Sequence, residues 1–285
     1  MNEQLQKFEA KVKTEWLDDA TCAAWRRWHD KSVIFWQEVT AALLAVSDLK
    51  PAQQVLDLAS GTGDPALVVA AAVQPDGHVV VTDLAPQMLE IARENARRAG
   101  MDNLSYQVVD AHQLPFADAS FDRVTCRLGV MYFWDCQKAL AEIRRVLKPG
   151  GRVSFVAWGL IEQNEYMRAM TGAFHKRNPL PPPQPGAPHP ARFGKPGTLS
   201  AELNAAGFSA VEEKSLLVSQ RWPGPPVELW TRQYEISAPL RPYFDGFSPG
   251  EKAAAIEETI AGLTAFYDGQ QITTRAAIVV ATACR

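Results

Sequence analysis

The sequence predicts an α/β fold in which a mostly parallel β-sheet carries helices on both faces. The stretch QQVLDLASGTGD, residues 53–64, joins a short apolar strand to a glycine loop and then to an Ala/Val-rich helix. Downstream, β-branched runs alternate with segments of helical periodicity, which is typical of parallel strands joined by crossover helices. In chain order, strands are expected near 54–58, 78–83, 104–109, 124–128, 152–158, 209–219 and 272–283.

The glycine loop is typical of a nucleotide-binding turn. Gly61 and Gly63 allow a tight turn at the carboxyl end of the first strand, and the next helix begins with free N–H groups. Asp57 and Asp64 flank this loop, and two carboxylates there disfavour a diphosphate and favour a cationic ligand. A purely structural turn is the alternative, since many α/β domains pass from strand to helix through glycine without a ligand.

The next two strands also end in an acid. The run HVVVTDLAPQML places Asp83 at the end of the second strand, and LSYQVVDAHQLPF places Asp110 at the end of the third. A carboxylate after the second strand is where doubly wound folds hold a ribose diol. Three aspartates are therefore expected at one edge of one sheet.

With these motifs, the chain resembles the class I S-adenosylmethionine-dependent methyltransferases, within them the ubiquinone/menaquinone-biosynthesis-type branch that acts on small molecules. The resemblance rests on VLDLASGTGD at 55–64, LPFADASFD at 114–122 and IRRVLKPGGRV at 143–153, and it covers roughly residues 50–158. It implies a Rossmann-like seven-stranded sheet whose last strand lies antiparallel between the fifth and sixth. One departure is Ser60, where relatives often carry Cys or Gly; this position is expected to contribute mainly backbone.

The resemblance also implies a cofactor and the residues that bind it. The cofactor is S-adenosyl-L-methionine, with S-adenosyl-L-homocysteine as product. Gly61 and Gly63 would approach its methionine part, and Asp83 would bind the ribose hydroxyls. Asp110 would meet the adenine amino group, with the Ala111 N–H near the ring. The other residues expected to bind the cofactor are Asp57, Ala59, Leu84, Met88 and Arg127.

Residues 1–50 are expected to form an N-terminal helical cap of two or three helices. Trp25, Trp28 and Trp36 recur there at near-helical spacing. They either pack the cap onto the domain or line a pocket, because a sulfonium cation favours an aromatic face. Later helices are expected at 64–73, 86–99, 134–147, 162–176, 198–206 and 249–266.

The methyltransferase domain is expected to span 51–285, with two insertions at about 159–196 and 222–268. The first contains a proline-dense run, 179–190, which is either a flexible linker or part of a lid. An insertion after the fifth strand falls on the ligand edge of the sheet, so we expect substrate lids over a small-molecule cavity.

Composition excludes several classes. A net charge of −3 and a pI near 6.0 offer no field for a nucleic acid. The four cysteines lack CxxC spacing, so neither a zinc site nor a disulfide framework is indicated. The N-terminus has no apolar leader and no run is long enough to span a membrane, so a cytoplasmic protein is expected. The sequence carries no signal for an oligomeric state.

The expected reaction needs little from the protein beyond alignment of the acceptor and exclusion of water, because an S-methyl sulfonium is already electrophilic. The acceptor is expected to be small and aromatic or apolar, with O-, N- and C-methylation all open. No metal is required. A base would assist a phenol or an activated ring carbon, and the candidates are His29, Tyr132 and His175.

Two other function classes remain open at this stage. A nicotinamide-dependent oxidoreductase would also suit a glycine loop with an acid twenty residues later, but Asp57, Asp64 and Asp110 argue against it. A protein of the same fold could bind S-adenosylmethionine without transferring a methyl group, as a cyclase or a regulatory binder. An acceptor mass gain of about 14 Da would separate a methyltransferase from such a binder.

Overall fold

A computed structural model describes residues 3–285, and its centre is a seven-stranded sheet. The strands in chain order are β1 (Gln54–Asp57), β2 (His78–Asp83), β3 (Leu104–Val108), β4 (Phe121–Arg127), β5 (Leu147–Trp158), β6 (Ser209–Trp222) and β7 (Ile272–Cys284). Their order across the sheet is β3-β2-β1-β4-β5-β7-β6. The first five strands pair in parallel, and β7 runs antiparallel to both β5 and β6. The expected antiparallel last strand between the fifth and sixth is therefore confirmed.

Ten α-helices surround the sheet within residues 3–285. They are α1 (Glu3–Trp16), α2 (Asp19–Ser47), α3 (Asp64–Ala72), α4 (Pro86–Arg98), α5 (Cys136–Val146), α6 (Glu165–Arg177), α7 (Thr198–Ala205), α8 (Pro226–Ile236), α9 (Arg241–Asp245) and α10 (Pro249–Thr264). All six helices expected after the N-terminal segment are present, with ends that differ by a few residues. The short helices α8 and α9 were not expected.

The long helix α2 positions much of the site. Asp18 caps its start, and the Asp18 side chain accepts a hydrogen bond from the Thr21 N–H at 2.8 Å. Phe35, Val39 and Leu43 are buried in the main core, and the helix packs against β4, β5, β6 and α8. One face of α2 therefore lies over the sheet while its first half reaches the carboxyl ends of the strands.

The junction between α5 and β5 differs from the expectation. We expected the helix to reach residue 147 and strand five to start at residue 152, after the turn Lys148-Pro149-Gly150-Gly151. Instead β5 begins at Leu147, opposite Phe121 of β4, and the register between the two strands shifts before Arg123. The Pro-Gly-Gly segment is therefore an irregularity inside a strand, with Gly150 at a φ of +74°.

The C-terminal helices share an aromatic cluster. Phe174 of α6 stacks on Trp230 of α8, with ring centroids 5.4 Å apart, and it also contacts Phe244 and Phe247. Between Arg177 and Thr198 the chain forms neither helix nor strand. Within residues 3–285, no helix is both long and apolar enough to cross a membrane.

Candidate cofactor and acceptor site

The glycine loop follows β1 at the point where the sheet order reverses between β1 and β4. Ala59, Gly61 and Gly63 all have positive φ, at +52°, +55° and +88°. The Ser60 N–H donates to the Thr82 carbonyl at 2.9 Å, and the Ser60 hydroxyl donates to the Asp57 carbonyl at 2.9 Å. The expectation that Ser60 contributes mainly backbone was therefore wrong, because its side chain also fixes the turn.

The two loop glycines have different surroundings. A Cβ built on Gly63 would lie 2.9 Å from the Ala92 Cβ, so Gly63 permits close packing of the loop against α4. A Cβ built on Gly61 would meet no heavy atom within 4 Å. Gly61 thus borders open space at the edge of the sheet, as a ligand-facing glycine would.

Asp83 lies beside this open space at the end of β2. Its carboxylate accepts the Gly61 N–H at 2.9 Å and the Ala85 N–H at 3.0 Å. Burial raises the pKa of Asp83, although the backbone N–H groups of Ala85, Gly61 and Leu84 act in the opposite direction. Each oxygen keeps lone-pair capacity, so the carboxylate can accept further hydrogen bonds from a diol.

Asp57 takes a different position from the one expected of a cofactor ligand. It is fully buried, and its Oδ1 accepts the Thr125 hydroxyl at 2.5 Å while its Oδ2 has no partner. Burial raises the pKa of Asp57 from 3.8 to about 6, against the hydrogen bonds from Ser60 and Thr125. The buried Asp57 carboxyl stabilises the end of β1 and the loop through its hydrogen bonds. The structure gives no support to the expected contact between this side chain and a ligand.

The raised pKa of Asp57 gives a testable pH dependence of stability. Its folded-state pKa lies above its unfolded value, so the protonated Asp57 carboxyl contributes stability to the folded protein. That contribution is complete below pH 3.8 and is lost as the pH rises through about 6. Asp57→Asn removes this titration. Between about pH 4 and pH 7, the unfolding free energy of the variant should rise relative to wild type by about 2 kcal/mol. Urea denaturation at several pH values measures it, and parallel profiles for the two proteins would contradict it.

At the third strand, Asp110 forms a small polar cluster that the sequence did not reveal. Its Oδ1 accepts the His112 backbone N–H at 2.9 Å and the His112 Nδ1–H at 2.6 Å. His112 stacks on Trp134 with ring centroids 3.8 Å apart. Burial acts to raise the pKa of Asp110, but the hydrogen bonds from His112 lower it overall. Asp110 and the adjoining Ala111 therefore lie on a rigid edge held by His112.

Arg127 neutralises one of the two acids at the loop. Its guanidinium forms an ion pair with Asp64 and donates to the Thr40 hydroxyl at 2.5 Å, and Arg127 and Asp64 are both largely buried. The expectation of two uncompensated carboxylates at the loop was therefore wrong, because Asp64 is paired within the chain. Arg127 orders the start of α3 from the end of β4.

Two of the three candidate bases lie at this edge. The Nδ1 atom of His29 lies 2.9 Å from the hydroxyl of Thr62 in the glycine loop, and burial lowers the pKa of His29. Tyr132 ends the 3₁₀ turn after β4, packs edge-on against Trp16 at 5.1 Å, and has its pKa raised by burial. His175 lies at the exposed end of α6 and accepts the Leu180 N–H at 3.2 Å. The structure does not bring His175 to the loop.

Leu84 and Met88 lie where the N-terminal helices meet this edge. Leu84 packs in a cluster with Phe8, Val12 and Trp134, and Met88 packs in another that contains Trp25. The indole N–H groups of Trp16 and Trp25 are buried without a partner. Open space at Gly61, an acceptor carboxylate at Asp83 and orphaned indole donors together fit a nucleoside cofactor with a polar tail.

Comparison with solved structures shows the fold. The YcgJ protein of Bacillus subtilis superposes with a TM-score of 0.57 at 19% identity, over 87% of this chain and 98% of that one. At that identity the likeness shows the fold, which is the Rossmann-like fold of class I methyltransferases.

Sequence comparison then gives the family. The model of the ubiE/COQ5 methyltransferase family matches residues 30–179. A demethylmenaquinone methyltransferase of Thermus thermophilus is 37% identical over 175 residues, 56% of this chain and 76% of that protein. The ubiquinone/menaquinone biosynthesis C-methyltransferase UbiE of Brucella anthropi is 40% identical over 128 residues, 45% of this chain and 48% of that protein. This chain belongs to the ubiE/COQ5 methyltransferase family and is an S-adenosylmethionine-dependent methyltransferase. It spans about half the length of the UbiE relative.

Proposed function

We propose that this chain transfers the methyl group of S-adenosyl-L-methionine to a ring carbon of a small quinone-type acceptor in its hydroxylated form. The observation that carries the proposal is the family match across residues 30–179, which includes the second part of α2 from residue 30, the glycine loop and the turn after β4. Of the two relatives described above, one is named a demethylmenaquinone methyltransferase and the other a ubiquinone/menaquinone biosynthesis C-methyltransferase. Carbon is the proposed acceptor atom because one of them is named a C-methyltransferase.

In this proposal, residues at the carboxyl edge hold the cofactor. Gly61 and Gly63 border its methionine part, Asp83 accepts from the ribose hydroxyls, and Asp110 with the Ala111 N–H meets the adenine. The remaining contacts come from the loop, from the end of β4 and from the start of α4. Those contacts are assigned to Ala59, Arg127, Leu84 and Met88.

The bound cofactor supplies an electrophilic methyl group. The chain aligns the acceptor, excludes water and provides a base for the proton that the acceptor loses. The N-terminal helices bury Trp134 and partly cover Leu84 beside the edge, which restricts water. We assign the insertions at about 159–196 and 222–268 to the cover of the acceptor, because they supply α6 and α8 to the same region. Oriented reactants of this kind gain up to about 7 to 11 kcal/mol of barrier reduction.

His29 is the base we assign to the proton that the ring carbon loses. Burial lowers the pKa of His29, so its ring is neutral and can accept a proton near pH 7. Burial raises the pKa of Tyr132, which therefore stays protonated and serves as a hydrogen-bond donor. We place no catalytic role on His175.

His29→Gln should lower kcat by about tenfold, which is less than the roughly 100-fold usual for an acid–base group, because the proton leaves after the new bond forms. His175→Gln is the matched control, and its kcat should equal that of the wild type. Steady-state kinetics with a reduced naphthoquinone acceptor measure both variants. Equal losses in the two variants, or a loss in His29→Gln that tracks a lower melting temperature, would contradict the assignment.

Mass spectrometry of the reaction tests the proposed function directly. The protein is incubated with S-adenosyl-L-methionine and a reduced naphthoquinone that lacks the ring methyl group. The acceptor should gain about 14 Da at carbon, with one S-adenosyl-L-homocysteine released per product. Release of S-adenosyl-L-homocysteine without a mass shift of the acceptor would contradict the proposal. So would the absence of turnover with any hydroxylated aromatic.

A further inference from the structure

Arg232 of α8 is a fully buried cation with incomplete hydrogen bonding. Its side chain has no exposed surface. Its Nε–H donates to the Ser32 hydroxyl at 3.1 Å and its Nη1 donates to the Tyr166 hydroxyl at 3.2 Å, while Nη2 has no partner. Two neutral hydroxyls are therefore the only hydrogen-bond acceptors that residues 3–285 offer to this guanidinium.

Aromatic rings enclose the same guanidinium. Its central carbon lies 4.9 Å from the Phe35 ring, 5.2 Å from Trp36, 5.5 Å from Trp222 and 5.9 Å from Trp25. Among residues 3–285, no carboxylate lies within 4 Å of it. The charged or titratable groups that affect the pKa of Arg232 are Tyr166 and the like-charged Arg127. The four rings and Ser32 are referred to below as the Arg232 box.

A buried cation that lacks a counter-ion is unusual. Cation–π contacts offset only part of the desolvation cost of a guanidinium, and a buried donor without a partner adds to that cost. Arginine remains protonated in proteins, so the charge cannot be removed by titration. The arrangement becomes favourable when an anionic acceptor enters the box and binds Nη2.

A second group of unpartnered polar atoms lies on the same sheet face. Both amide atoms of Gln220 are buried without a partner, and so is the hydroxyl of Thr274, its cross-strand neighbour. Gln220 precedes Trp222 of the Arg232 box by two positions on β6, so both side chains point to the same face. The face that bears the box thus carries more polar groups than the chain itself satisfies.

The box lies next to the cofactor edge. His29 contacts Thr62 of the glycine loop, and three residues later on α2 Ser32 contacts Arg232. Three residues correspond to about 4.5 Å along a helix axis. Trp25 belongs both to the Arg232 box and to the cluster that holds Met88. An acceptor seated in the box would therefore lie within reach of the cofactor site.

We propose that Arg232 binds an anionic oxygen carried on a flat aromatic ring, and that this is the acceptor subsite. The inference rests on the proposed function and specifies its substrate class: an arene whose hydroxyl is held as a phenolate. The rings of the box pack against the arene, and Nη2 donates to its oxygen. Arg232 is a positioning residue in this account, since it holds the oxygen while the ring carbon receives the methyl group.

Optical titration of 4-nitrophenol tests the subsite without turnover. The wild-type chain, with and without saturating S-adenosyl-L-homocysteine, should bind the probe as the phenolate and lower its apparent pKa. Arg232→Met should weaken binding by about 10- to 100-fold and restore the pKa of free 4-nitrophenol. Arg232→Lys should recover part of the shift, because it keeps the charge and loses the planar fork.

The matched control is Arg123→Met. Arg123 is also buried, but its guanidinium donates to the Asp48 carboxylate and to backbone carbonyls, including those of Ser47 and Asp48. It lies near the start of β4, away from the carboxyl ends of the strands. This variant should bind 4-nitrophenol as the wild type does. Melting temperatures accompany every variant, because Arg123→Met breaks the ion pair with Asp48, whereas Arg232→Met leaves no unpaired carboxylate among residues 3–285. A stable Arg232→Met protein with unchanged probe binding would overturn the proposal.

Two further probes distinguish the source of the anion. 4-Nitrobenzoate offers a carboxylate and nitrobenzene offers no anion on the same ring. Tighter binding of 4-nitrophenol than of the other two supports a phenolate acceptor, and equal binding of nitrobenzene overturns the proposal. Tighter binding of 4-nitrobenzoate assigns the box to an aromatic acid and overturns the phenolate.

Calorimetry with S-adenosyl-L-homocysteine separates this inference from the proposed function. Arg232→Met should bind it with wild-type affinity. A loss of that affinity with unchanged 4-nitrophenol binding would assign Arg232 to the cofactor and overturn the proposal. Failure of the wild-type chain to bind S-adenosyl-L-homocysteine would instead contradict the proposed function. The titration with 4-nitrophenol would still decide the role of Arg232.

Discussion

Gly61→Ala is expected to weaken binding of S-adenosyl-L-homocysteine by up to about 100-fold while the protein stays folded. A Cβ at Gly61 meets no protein atom within 4 Å, so the chain itself tolerates the added methyl group. The φ of +55° adds a backbone cost of about 1 kcal/mol. The methyl group would enter the space that we assign to the methionine part of the cofactor, and calorimetry measures the loss.

Gly100→Ala is the matched control for this substitution. Gly100 follows α4, has a φ of +68° and also has open space around a built Cβ. It lies at the end of α4 that is remote from the loop. Both variants should lose similar stability, and only Gly61→Ala should lose affinity. Equal affinity in the two variants would contradict the assignment of Gly61.

Asp83→Ala should weaken binding of S-adenosyl-L-homocysteine by about 1.5 to 3 kcal/mol, because it removes the charge-assisted hydrogen bonds that we assign to the ribose hydroxyls. Burial raises the pKa of Asp83, so the carboxylate takes up its proton at a higher pH than an ordinary aspartate. Affinity of the wild type should therefore be full above that raised pKa and fall as the pH drops through it. The variant should lack this acid limb.

Asp102→Ala provides the control, since Asp102 is exposed before β3 at the other edge of the sheet. Calorimetry across a pH series compares the three proteins. Asp102→Ala should match the wild type at every pH. An Asp83→Ala protein with wild-type affinity would contradict the ribose assignment, and so would an acid limb that persists in it.

Local pattern accounts for most of the fold. The alternating strands and helices, the glycine loop and the antiparallel β7 follow from periodicity, turn residues and the family resemblance. The predicted start of β5 at residue 152 was wrong because Pro149 and Gly150 are typical of a turn. Only the pairing with β4 extends the strand through them. A local signal carries no information about such a neighbour.

The site depended more on contacts between distant residues. The position of Asp83 could be predicted because a strand end fixes it, whereas the buried state of Asp57 depends on Thr125, 68 positions away. No local pattern marks Arg232: its partner Ser32 is separated from it by 200 positions, and its significance is that residues 3–285 place no carboxylate within 4 Å of its guanidinium. Charge balance inside a protein is set by packing, which composition and spacing do not show.

Isothermal titration of the wild-type chain with S-adenosyl-L-homocysteine and, separately, with NADH tests the central claim most directly. We expect saturable one-to-one binding of the homocysteine compound and no detectable heat with NADH. Binding of NADH in the same range, or no binding of S-adenosyl-L-homocysteine, would contradict the account of the glycine loop and Asp83.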